Sequence, residues 1–76
     1  MIQQIVEFIV KELVEHPSSA RVELKQEEGK IILTIHVDEK DLGKVIGKGG
    51  QTIRAIRSIA SVLNKEGGYV IVDVAK

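Results

Sequence analysis

Three glycines in four consecutive positions, Gly47-Lys48-Gly49-Gly50, lie between two stretches whose apolar residues recur at helical spacing. Leu42, Val45 and Ile46 precede the cluster, and Ile53, Ile56, Ile59, Ala60 and Leu63 follow it. Recurrence at every third and fourth position makes each stretch an amphipathic helix. A junction that must turn within four residues needs positive φ at some of them, and glycine alone adopts it without steric cost. The first helix therefore stops at Gly47. The next begins near Gly50, runs to Asn64 and is terminated by Gly67-Gly68.

The same periodicity assigns the rest of the chain. Ile2, Ile5, Val6, Ile9 and Leu13 form an apolar helical stripe, with Gln3, Gln4, Glu7, Lys11 and Glu12 largely on the other side. His16-Pro17-Ser18-Ser19 ends that helix, because the residue before proline is pushed out of the helical region. From Ala20 the period becomes two: Val22 and Leu24 alternate with Arg21, Glu23 and Lys25 in a strand with one buried face. Glu28-Gly29-Lys30 interrupts it. Ile31, Leu33, Ile35 and Val37 then alternate with Ile32, Thr34 and His36, which predicts an antiparallel hairpin whose second strand is the more central, with His36 facing solvent. Asp38 is placed to cap the short helix before the glycines, with Glu39 and Asp41 in its first turn. A last strand alternates from Tyr69 with Val70, Val72 and Val74 inward. The order helix, strand, strand, helix, helix, strand predicts an α+β fold, a three-stranded sheet with three helices on one face, formed by residues 1–76 as a single domain.

Composition narrows the possible functions. No stretch approaches the roughly 18 consecutive apolar residues of a membrane span, and the start Met1-Ile2-Gln3-Gln4 lacks the features of a secretory signal. The expectation is a soluble cytoplasmic protein with no membrane partner. Without cysteine, and with only His16 and His36, the chain has no disulfide, no thiolate nucleophile and no residue set for a metal cage. No serine, histidine and carboxylate are suggestively spaced, and the acidic residues scatter over faces read as exposed, so neither catalysis nor a cofactor is expected. Formal net charge is zero, yet the sign is segregated: −4 over residues 1–39, +4 over 40–57 and 0 over 58–76. A bound phosphate feels the local field within a Debye length of about 8 to 10 Å, so the neutral total hides a basic segment around the glycines.

That segment has the chemistry of an anion site. Glycines leave the peptide bare, so a sugar-phosphate backbone can lie against it, and the helix starting near Gly50 aims unpaired N–H groups and its positive dipole end at the same place. Lys48 stands at the tip as a flexible point charge. Lys44 one turn before, and Arg54 and Arg57 one and two turns after, widen the basic zone, although arginines on a helix also serve simply as a solvated face. Val45, Ile46 and Ile53 adjoin the loop and are read as the floor of a narrow apolar groove, Ile53 being shared with the core. Other phosphate motifs fail on spacing. A Walker loop needs four residues between its glycines followed by Lys-Ser/Thr, whereas Gly43 and Gly47 enclose three and Lys48 precedes a glycine. A dinucleotide fingerprint would need glycine at Thr52.

Val45-Ile46-Gly47-Lys48-Gly49-Gly50-Gln51-Thr52-Ile53 closely resembles the hallmark of the KH domain family, Ile-Gly-x-x-Gly-x-x-Ile between two helices. The element order matches the type II form of that fold, and the resemblance covers the whole chain, most nearly the small single-domain bacterial RNA-binding members. It implies single-stranded RNA as partner, with the loop clamping about four nucleotides of backbone and contacts from Lys44, Val45, Ile46, Gly47, Lys48, Gly49, Gly50, Gln51, Ile53, Arg54 and Arg57. It also implies bases packed on aliphatic side chains between the loop and the sheet edge, so the remoteness of Phe8 and Tyr69 from the loop is no obstacle. Low sequence specificity and a role as an RNA chaperone or post-transcriptional regulator follow, together with a homodimer or a heterodimer with a larger KH-containing protein of the KhpB (Jag) type. The alternative is a KH-fold interaction and dimerisation module in which RNA binding is secondary or lost.

Overall fold

The β-branched alternation of the hairpin and the three amphipathic stretches organise one hydrophobic core in the computed structural model, which describes residues 1–65 and 67–75. In chain order the elements are α1 (Ile2–Leu13), β1 (Arg21–Glu27), β2 (Lys30–His36), α2 (Leu42–Ile46), α3 (Gln51–Leu63) and β3 (Tyr69–Val74), with single 3-10 turns at Pro17–Ser19, Glu39–Asp41 and Lys48–Gly50. The sheet order is β1-β2-β3, so β2 is central as its apolar run requires. β1 and β2 pair antiparallel from Arg21↔His36 to Glu27↔Lys30. β3 joins β2 in parallel, from Lys30↔Tyr69 to Ile35↔Val74, after the chain has crossed over through α2 and α3.

Leu33 and Ile35 of β2 are fully buried, packed with Val6 and Val10 of α1, Val22 of β1, Val45 of α2, Ile56 and Ala60 of α3 and Val72 of β3. Burying a side chain of this kind stabilises the fold by roughly 1.5 to 3 kcal/mol each. Leu24, expected inside, is 39% exposed. It is the middle residue of the edge strand β1 and lines an open cavity with Met1, Ile2, Ile31 and Leu63 instead of joining the core.

Two features of α1 differ from the periodicity reading. Gln3 and Glu7, assigned to the side away from the sheet, bind the backbone of β1: Gln3 Nε2 donates to the Val22 carbonyl at 2.7 Å and Val22 N–H donates to Glu7 Oε1 at 2.9 Å. β1 has only one strand neighbour, so its outward backbone groups need other partners, and α1 supplies them. The helix also ends at Leu13, three residues before His16. Val14 is already extended (φ −95°, ψ 160°), and the next two N–H groups turn away to the Asp41 carboxylate.

Candidate nucleic-acid interface

The glycine cluster has the geometry its sequence requires. Asp38 accepts the Lys40 N–H at 2.9 Å and so caps the 3-10 turn ahead of α2. Gly47 closes α2 by donating to the Gly43 carbonyl at 2.8 Å. It adopts φ 76° and ψ 169°, and Gly49 (φ 63°) and Gly50 (φ 76°) follow in left-handed backbone before α3 begins. At Gly49 the need for glycine is conformational alone, since a Cβ there would meet open space. At Gly47 it is also steric: a Cβ would collide with the Oγ1 of Thr52. Thr52 is therefore part of the loop's construction, although by sequence it merely filled a variable position.

Lys44, Lys48, Gly49, Gln51, Arg54 and Arg57 are all exposed around this turn, with Gly47 and Gly50 half-buried behind them. Arg54 folds back, its Nη1 donating to the Gly49 carbonyl at 2.8 Å, which places its guanidinium beside the loop. Lys44 is less available than its position suggested, because its Nζ lies 3.6 Å from Oε1 of Glu15. Counting charge along a continuous segment missed that carboxylate, which arrives from beyond the end of α1. Arg57 forms no ion pair among the described residues.

The apolar floor is built differently from the sequence expectation. Val45 is fully buried and has no surface to offer a base; the inward face of α2 carries it into the core. Ile53 is half-buried against the same core. Ile46 does line a cavity of about 340 Å³, with Leu42, Val37, Glu39, Val74 and Ala75 as its other walls. Val37, Val74 and Ala75 come from the ends of β2 and β3, whose proximity to α2 depends on the parallel pairing of strands far apart in sequence, and Glu39 comes from the 3-10 turn that leads into α2.

Asp41 corrects the reading that the acidic residues lie on exposed faces: it is fully buried. Its Oδ1 accepts the Glu15 N–H at 3.1 Å, Oδ2 accepts the His16 N–H at 3.0 Å, and the His16 ring Nδ1 is also 3.0 Å from Oδ2. Burial pushes the Asp41 carboxyl up, but the hydrogen bonds from Glu15 and His16 and the imidazole charge outweigh it and hold the group below its ordinary value. His16 moves the other way, raised chiefly by its hydrogen bond to Asp41 against the opposing effect of desolvation. The carboxylate ties the end of α1 to the base of α2 and so fixes the platform from which the loop projects.

The positive-φ turn between two helices, a neighbouring aliphatic cavity and the αββααβ order agree with the sequence profile of the KhpA/KhpB KH domain, which matches residues 3–74. This chain belongs to that family. The KH domain is 34% identical over 74 residues to the RNA-binding protein KhpA of Thermotoga maritima, covering 97% of this chain and 99% of that one. It is 38% identical over 73 residues to the RNA-binding protein KhpA of Clostridium perfringens, covering 95% and 97%. Among solved structures it superposes on Era, determined in complex with MgGDPNP and a segment of 16S ribosomal RNA, with a TM-score of 0.69 at 19% identity. That match covers 96% of this chain but 29% of Era, and what the two share is the KH-like fold.

Proposed function

We propose that this chain is a non-catalytic RNA-binding protein that works as one domain in the cytoplasm. Gly47-Lys48-Gly49-Gly50 holds the backbone of single-stranded RNA, and one or more bases lie in the aliphatic cavity beside it. The observation that carries this reading is the loop itself: three glycines at positive φ, bare of side chains, opening directly into the N-terminus of α3, with the Lys48, Arg54 and Arg57 cations around it. Relatives named as RNA-binding proteins over nearly their whole length support it. Specificity is low because most contacts address the backbone, which suits a chaperone or post-transcriptional regulator.

Pairing enlarges the footprint. The outward face of α3 exposes Ile59 at 42% and Val62 at 78%. A second copy of this chain, or a KhpB (Jag)-type protein, covers that face, and joining two weak sites raises avidity without new contacts. Val62→Lys should then weaken self-association in sedimentation measurements; unchanged association excludes this face.

Titration of unstructured RNA against salt tests the central reading. Dissociation constants should lie around 10⁻⁴ to 10⁻⁶ M, and with three cations on phosphate the slope of log K against log salt should be about −2. A duplex of equal length should bind worse, since paired bases cannot enter the cavity. A salt-independent affinity, or a preference for duplex, contradicts the loop contact.

A further inference from the structure

The cavity beside the loop is aliphatic on five of its six lining residues and carries a single carboxylate, Glu39. At about 340 Å³ it lies at the small end of ligand sites, a scale suited to one flat heterocycle. It adjoins the proposed backbone contact directly, because Ile46 in its wall immediately precedes Gly47.

Glu39 is exposed and forms no side-chain ion pair among the described residues. Among the described residues lining the cavity, Glu39 alone has a side-chain acceptor. The two ends of the site therefore have opposite character. Lys48, Arg54 and Arg57 attract phosphate at the loop, whereas the one charged side chain lining the cavity is the carboxylate of Glu39. A strand held by the loop can turn only an uncharged group toward Glu39, and that group must donate hydrogen bonds, since a carboxylate only accepts.

The unpaired bases differ sharply in this respect. The Watson–Crick edge of guanine presents N1–H and the 2-amino group side by side, one donor for each carboxylate oxygen. Adenine and cytosine set one amino donor beside a ring nitrogen acceptor, and uracil sets one N–H between two carbonyls, so each turns a lone pair toward an oxygen. Bidentate, charge-assisted pairing is the strong arrangement. We propose that Glu39 makes this cavity a guanine-preferring base site. The inference rests on the RNA-binding reading above and adds one readable position to an otherwise sequence-tolerant contact.

For bidentate pairing of a base with an exposed carboxylate, a preference of about 10-fold is expected. The test is titration of the full chain with uridine-rich single strands carrying one central guanosine, inosine, adenosine or cytidine at fixed salt. The guanosine strand should bind about 10-fold tighter than the all-uridine strand, and inosine, which lacks the 2-amino group, should lose most of that gain. Glu39→Gln should bring all strands within about 2-fold of each other. Equal binding of every strand by the parent, or a guanosine preference that survives in E39Q, overturns the base assignment and leaves the loop contact standing. Failure of the parent to bind any strand removes the RNA-binding reading and this inference with it.

Discussion

Thr52 decides how much freedom position 47 has, and Gly49 shows what the same loop costs without such a neighbour. Gly47→Ala forces a side chain into backbone at φ 76° and ψ 169°, a region essentially confined to glycine, and against Thr52. Gly49→Ala meets open space and bears only the left-handed penalty. Chemical denaturation should show a loss of about 1 kcal/mol for G49A and a distinctly larger one for G47A; equal losses would mean that Thr52 does not brace the turn. The Asp41–His16 pair adds a pH dependence with a defined sign. The raised His16 pKa stabilises the fold fully below about 6.5, and this contribution is lost as pH rises through the folded-state value. The lowered Asp41 pKa stabilises it above about 3.8, and this is lost as pH falls through its folded-state value. Between those values both contributions hold. Thermal melts of His16→Phe should be flatter than the parent across the neutral range, and an identical profile would remove His16 from the pair's energetics.

At the scale of elements, periodicity alone located every helix and strand, because Leu33, Ile35, Ile56 and Ala60 had to repeat with the element that buries them. Element ends and polar partners were less legible. α1 stops at Leu13 because Asp41, more than twenty residues away in sequence, takes the N–H groups of Glu15 and His16, and no local signal encodes such a contact. Val45 and Leu24 were misplaced for related reasons: adjacency to a loop does not say which face of a short helix turns inward, and alternation does not say which residues on the inner face of an edge strand are covered. Within the candidate site the glycines and cations were readable, whereas Thr52, Val37, Glu39 and Val74 became visible only in three dimensions. Arg54 joins α3 to the loop through the Gly49 carbonyl, and Arg57 stands on the same helix one turn on. Arg54→Ala with Arg57→Ala should weaken RNA binding across sequences and flatten the salt slope by about 1.4, two contacts at roughly 0.7 each. Stability should stay within about 0.5 kcal/mol, as for other exposed substitutions. Full-strength binding in that variant would return both arginines to the solvated face.

For the molecule as a whole, charge and shape divide the surface into separate tasks. The acidic residues that bring the total to zero are concentrated in residues 1–39, and α3 turns an apolar strip outward. The loop gathers cations where bare peptide and a helix N-terminus already favour an anion. The proposed RNA contact and the proposed pairing face therefore use different residues, and a change to one should leave the other intact. The most direct measurement is RNA binding by the Lys48→Asp, Gly49→Asp double variant. Gly47 and Gly50 still make the turn, and the left-handed backbone at Gly49 costs about 1 kcal/mol. The loop, however, passes from one positive charge to two negative ones where phosphate is proposed to sit. A folded variant that keeps its self-association and binds no measurable RNA is the expected result; one that binds RNA as tightly as the parent would contradict the backbone clamp.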